Sequence, residues 1–197
     1  MRRRATWLVL ALVAILGTTA ATEELGVAEV ESPLEAMADW ERELWESHVG
    51  TWKSYYTIRN AAGEIVDEHE ALNDIQLDWE KNVYSQRNIY RRGGEVEVRR
   101  YSAHWEGREM VIRGEFLEGR ASAHDRQTIV LNFKKPSIGE ETYETIVLID
   151  GHNRGRSMQH YEKGVLKRIT SVFGEERISS EPAIDAEGND LRPAVFE

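Results

Sequence analysis

The chain has 197 residues, 41% of them hydrophobic and 30% charged, with no cysteine and a formal net charge of −10. That length suits one domain with a core of its own, and the negative balance argues against nucleic acid or an anionic membrane surface as partner, because phosphates would repel it. The absence of cysteine excludes disulfides, thiolate nucleophiles and thiolate metal sites.

Arg2, Arg3 and Arg4 precede an apolar run from Trp7 to Gly17, short for a bilayer span, and small residues follow it. This is the pattern of an export signal. Residues 1–21 are expected to be removed, with cleavage near Ala20 or Ala21, giving a periplasmic or secreted protein with no membrane attachment in its mature form. Retention of the segment as an anchor is the alternative. Residues 22–31 are acidic and poor in apolar side chains, as in a flexible lead-in. Ser32, Pro33 and Glu35 supply an N-cap, a first-turn proline and a capping box for a helix over 32–48. Leu34, Met37, Leu44 and Trp45 recur on one side of that helix.

After Gly50 the period changes to two. Alternating segments fall near 51–59, 64–77, 82–92, 95–105, 108–117, 120–124, 126–134, 142–150, 153–162 and 165–174. Turn sequences such as NAAGE, RRGGE, LEGR and EKGV separate them, and Gly93-Gly94 favours a primed hairpin turn. Short connections throughout favour an antiparallel meander, and closing it removes the exposed edges. The predicted class is mainly β. A single up-and-down barrel of about ten strands spans 49–180. One N-terminal helix precedes it, and a loosely attached acidic tail, 181–197, follows.

A helix followed by Gly50-Thr51-Trp52 at the start of the first strand resembles the Gly-x-Trp opening of calycin barrels, the superfamily of lipocalins and fatty-acid-binding proteins. The stretches YSQRNIY (84–90), EGRASAHD (118–125) and RGRSMQHYEKGVLKRITSVFGEERI (154–178) resemble an uncharacterised lipocalin-like domain family of cyanobacteria, plants and fungi. That family is related to the bilin lyases that attach chromophores to phycobiliproteins. The resemblance runs from about Trp45 to Ile178. It implies that Trp52 closes one barrel end with an arginine stacked on its indole, either Arg177 or Arg168. The export signal is a departure, since a bilin lyase acting in the cytosol or plastid has no need of one.

Residues 83–91 put Tyr84, Gln86, Asn88 and Tyr90 on one face and Val83, Ser85, Arg87, Ile89 and Arg91 on the other. A lumen that holds a ligand needs mostly apolar wall with a few polar groups to fix orientation. The Tyr-Gln-Asn-Tyr face meets that description, and Arg87 and Arg91 prefer water. The reverse, with Val83 and Ile89 inside, stays open. In 154–161, Arg154, Arg156, Met158 and His160 share one face, and Ser157, Gln159 and Tyr161 share the other. Gln159 inward would extend the polar-aromatic lining. Arg156 inward would meet a ligand carboxylate, which is what the resemblance to bilin lyases and fatty-acid-binding proteins implies. The expected ligand contacts are therefore Tyr56, Tyr84, Gln86, Asn88 and Tyr90, with Arg156 and Gln159 as competing candidates on the later strand.

Ile58, Met110, Ile112, Ile129, Leu131, Val147 and Ile149 are expected to supply apolar wall. The six histidines lack metal-ligand spacing, and no nucleophile elbow or phosphate loop occurs. No metal, cofactor or catalytic residue is expected. The functions left in play are a barrel binding a small, largely apolar molecule with or without a carboxylate, a lyase or isomerase using the same cavity, and a filled barrel acting through its surface. Catalysis and oligomeric state are left open by the sequence.

Overall fold

The computed structural model describes residues 33–193. The export segment, the lead-in and the Ser32 cap lie outside the described residues. The helix expected over 32–48 is two shorter ones, α1 (Pro33–Ala36) and α2 (Asp39–Glu46). The break is held by Glu41, whose carboxylate accepts the Ala38 backbone N–H at 2.8 Å. The same carboxylate receives the Arg108 guanidinium at 2.7 and 3.0 Å, which ties the helix start to a barrel turn. Among the described residues no helix is long and apolar enough to cross a membrane.

Ten strands follow: β1 (Gly50–Asn60), β2 (Ile65–Asp78), β3 (Val83–Arg92), β4 (Glu95–Glu106), β5 (Glu109–Arg113), β6 (Glu118–Ala123), β7 (Thr128–Lys135), β8 (Glu140–Leu148), β9 (Asn153–Glu162) and β10 (Val165–Ser179). Each pairs antiparallel with its chain neighbour, and β1 pairs with β10 to close the barrel. The predicted mainly β class, a closed ten-stranded up-and-down barrel behind a short helical segment, is the observed fold. Gly93 and Gly94 have φ of 55° and 89°, the two positive values that a primed turn requires. The wall is weakest between β4 and β5, which pair only over His104–Glu106.

Gly50 has φ +116°, and a Cβ there would sit 2.2 Å from the Ser179 carbonyl oxygen. The glycine of the Gly-x-Trp opening is thus required by the close approach of β10 to β1. Two residues on, Trp52 is fully buried and donates from Nε1 to the His48 carbonyl at 2.9 Å. Leu44, Trp45, Ile75, Trp105, Met110 and Ile129 pack around it as the main apolar core. The α2 end of the barrel is closed by this cluster. The other end is open.

Both faces of β3 are buried, which resolves its mixed pattern. Tyr84, Gln86, Asn88 and Tyr90 face the lumen. The outer face is covered by residues 181–192 rather than by water. Ile184 there is 0% exposed, with Leu72 and Ile89 of the barrel wall also buried. Arg87, expected in water, pairs with Asp74 at 2.7 Å and with Asp190 of the tail at 2.6 Å. Ser85 Oγ donates to the Ala186 carbonyl at 2.6 Å. The described part of the acidic tail is therefore docked, because a buried arginine needs the carboxylate it brings.

Candidate functional site

The barrel encloses a cavity of about 830 Å³ that opens at the end away from α2. Its wall has three levels, each set by inward positions at the same height on successive strands.

The floor combines the aromatic plug with a buried ion network. Arg154 on β9 meets Glu175 on β10 through two hydrogen bonds of 2.5 and 2.9 Å. Ser54 and Asn73 donate to the same carboxylate at 2.5 and 2.8 Å. The guanidinium of Arg154 also lies 4.1 Å from the Trp52 ring centroid, and that of Arg177 lies 4.9 Å from it. Arg177 is thus the stacking partner that the resemblance implied, joined by Arg154. Arg168, the other candidate, stands at the mouth. Burial alone would push the Glu175 carboxyl up, but Arg154, Arg156 and the donated hydrogen bonds outweigh it and hold the group at about 2.

At mid-height, Arg156 faces inward and is already paired. Its Nε and Nη2 reach Glu144 at 2.7 and 2.6 Å, and its Nη1 donates to the Tyr56 hydroxyl at 3.2 Å. The parity left open by the sequence is therefore Arg154, Arg156, Met158 and His160 inside. Gln159 lies on the exposed outer face, beside Tyr161, and does not reach the cavity. Opposite stands a hydrogen-bonded ladder along β3. Tyr84 donates to Gln86 at 2.5 Å, Gln86 to Asn88 at 2.6 Å, and Asn88 to the Tyr90 hydroxyl at 3.0 Å. A chain of side-chain amides on one strand satisfies its own polar groups and so can stand beside an apolar ligand.

The mouth is ringed by Arg92, Arg99, Lys135 and Arg168, with Asp67, Glu97 and Glu140 among their partners. Arg99 lies over the Tyr90 ring at 5.4 Å, and His69 stacks on Tyr56 at 5.1 Å. Burial and then Arg168 lower His160 to about 4, so its ring is neutral at physiological pH. Burial raises both the Tyr56 and the Tyr84 hydroxyl above the usual tyrosine value.

Of the expected apolar wall, Ile58, Met110, Ile112, Ile129 and Leu131 line the cavity. Val147 and Ile149 do not: they are 39% and 60% exposed. On β8 the inward set is Thr142, Glu144, Ile146 and Leu148, because Glu144 is drawn to Arg156. An alternation rule that sends carboxylates to water assigns this strand the wrong parity. Sequence reasoning also missed Glu175, Arg154 and His48, and the first two could have been found only by pairing charges across strands. Among the described residues no group of three or more His, Asp or Glu is placed to hold a metal ion.

No family model matches the chain, and no curated protein matches it. Solved structures do. A protein of unknown function from the DUF3598 family of Nostoc punctiforme aligns with TM-score 0.56 and 18% identity, over 68% of this chain and 49% of that one. An S-type phycobiliprotein lyase from Guillardia theta aligns with TM-score 0.56 and 17% identity, over 75% of this chain and 96% of that one. The chain thus spans about half the length of the first and nearly all of the second. The chain has a calycin-like, lipocalin-type barrel, the fold that Gly50-Thr51-Trp52 led us to expect.

Proposed function

We propose that this barrel is an exported binding protein for a small molecule with a largely apolar or aromatic body and a negatively charged group held at the mouth. The cavity carries this reading. Its volume of about 830 Å³ lies within the usual range for small-molecule sites, which a filled barrel would not leave. Seven of its lining side chains are Arg or Lys and two are Asp or Glu, in a chain whose net charge is −10. Glu97, Glu140, Glu175 and Asp190 pair with these cations from just outside the lining, so seven cations meet six carboxylates, and the surplus and the exposure of the rim arginines favour an anion over a cation. Arg156 is a poor candidate for the anion, because Glu144 already occupies it; Arg92, Arg99 and Arg168 at the rim are better placed. The solved phycobiliprotein lyase shares the barrel and supports a cavity put to chemical use. Here, however, His160 is held neutral and Tyr56 and Tyr84 are held protonated. None of these is poised to exchange a proton near neutral pH, which favours binding over turnover. Export rests on the pattern of residues 1–21.

An anionic naphthalene sulfonate titrated into the mature protein tests the reading. Saturable binding of one molecule per chain with enhanced emission is expected. Ala103→Phe, which fills the cavity from within, should weaken it by about tenfold or more while the fold is retained by circular dichroism. Unsaturable binding, or binding untouched by Ala103→Phe, would remove the cavity from the account. Intact mass of the native protein tests export: a retained first 21 residues would contradict it.

A further inference from the structure

Charge is spread unevenly over the outside of the barrel. Around β2, β3 and β4 the outer surface carries Asp74, Arg87, Arg91 and Arg100 in adjoining register positions, and residues 181–192 cover part of it. Over β7, β8, β9, β10 and β1 the pattern is different. The outward residues within 128–132, 143–147, 155–159, 169–173 and 55–57 include no Asp, Glu, Lys or Arg. At the centre of this face Val130, Thr145, Ser157, Ser171 and Thr57 stand directly paired across five successive strands. In a chain with 30% charged residues, a strand face kept for water would carry several of them.

The same face exposes apolar side chains around that row. Tyr55 is 51% exposed, Tyr143 45%, Val147 39% and Phe173 81%. Phe173 is placed there by a bulge. The register of β10 against β9 shifts between Val172 and Glu175, which turns Phe173 outward and Glu175 inward to Arg154. A phenylalanine so far out of the core contributes little to its own fold, and its apolar area is left for association to bury. Depletion of charge with enrichment in tyrosine and phenylalanine is the composition of an interface centre, and a charged rim surrounds it. Here Arg59 and the Lys134–Glu141 pair stand at its mouthward border.

We infer that this face is the contact between two copies of the chain, related by a two-fold axis near Ser157. Two chains of net charge −10 repel, and the cost of bringing them together is least where no charge is carried. The chemistry of the face is also its own complement. Each hydroxyl of Thr145, Ser157, Ser171 and Thr57 both donates and accepts, so the same row on a second copy can satisfy it, which is what an isologous contact demands. Five strands about 4.8 Å apart and three rows about 6.8 Å apart make a patch of roughly 500 Å² on each copy. That is the low end for a specific interface and fits a reversible dimer rather than an obligate one. The contact lies on the side of the barrel, so the mouth stays open and the inference is independent of what the cavity holds.

Sedimentation equilibrium of the native protein tests it. A monomer–dimer equilibrium with Kd on the order of 1–100 μM is expected. Ser157→Glu brings two carboxylates together at the axis and should weaken the dimer by at least about tenfold. Phe173→Ser removes exposed ring surface and should weaken it several-fold. Val98→Glu, at a 47% exposed position on β4, should leave it unchanged. Raising salt from about 50 mM to about 500 mM screens the repulsion and should tighten the dimer. Ser157 and Phe173 are both exposed, so the fold should persist by circular dichroism; should Ser157→Glu not fold, Phe173→Ser and the salt series decide. A protein that stays monomeric up to about 300 μM overturns the inference. So does a dimer that ignores Ser157→Glu and Phe173→Ser, is lost in Val98→Glu, or weakens with salt. A different protein that copurifies with the parent and is lost from Phe173→Ser would give the face to another partner and overturn it as well.

Discussion

The two ends of the barrel are built from the same parts, arginine against carboxylate beside an aromatic ring, and use them oppositely. At the floor, the side chains of Arg154 and Glu175 are 1% and 0% exposed and sit against Trp52. At the mouth, Arg168 and Glu140 are 38% and 9% exposed. Two charges taken fully out of water have lost their hydration and depend wholly on each other. A pair that keeps one partner in water has a small net worth and can exchange its carboxylate for a ligand's. Burial, more than residue type, makes one end a structural clamp and leaves the other available for recognition.

The largest expected effects break the floor. Glu175→Gln strands Arg154 and should cost about 3–5 kcal/mol in urea unfolding; a loss below 1 kcal/mol would mean that the network is not coupled as described. Trp52→Ala should cost a similar amount, about 3–5 kcal/mol, and an unchanged thermal midpoint would deny the plug. Next comes the docked tail. Ile184→Ala should cost about 2–5 kcal/mol, and a neutral result would mean that residues 181–193 do not hold the outer face of β2 and β3. The smallest effect belongs to the mouth. Arg168→Gln should change stability by about 0–1 kcal/mol yet weaken an anionic probe.

Acidification sharpens the same contrast. Glu175 has its carboxyl depressed from 4.5 to about 2, so its stabilisation is present above 4.5 and lost as pH falls toward 2. His160 is depressed from 6.5 to about 4, so the unfolded chain binds its proton first and stability falls between pH 6.5 and 4. His48, also lowered, acts in the same direction. The thermal midpoint should therefore decline steadily from pH 7 to pH 3. Glu175→Gln should flatten the lower part of that curve, and a profile identical to the parent's would contradict the assignment.

Strand order and the closed meander were legible in the sequence, because turn residues and period-two alternation are local signals, whereas the strand expected over 108–117 ends at Arg113 and the one expected over 165–174 runs on to Ser179. The inward face of β3 was legible too, since Tyr, Gln, Asn and Tyr suit a ligand wall. Parity failed on β8, where Val147 and Ile149 made the more apolar face and Glu144 nonetheless points inward. Arg87 misled for the same reason: its carboxylate partners, Asp74 and Asp190, come from β2 and from the tail. Buried charges are satisfied across strands, and no single strand's pattern records its partner.

Native mass spectrometry of the protein purified from its own host tests the central claim most directly. A ligand-carrying barrel should show a discrete non-covalent adduct, released on denaturation and absent from Ala103→Phe purified in parallel. A parent protein that carries no adduct, and then does not take up the sulfonate probe, would contradict it.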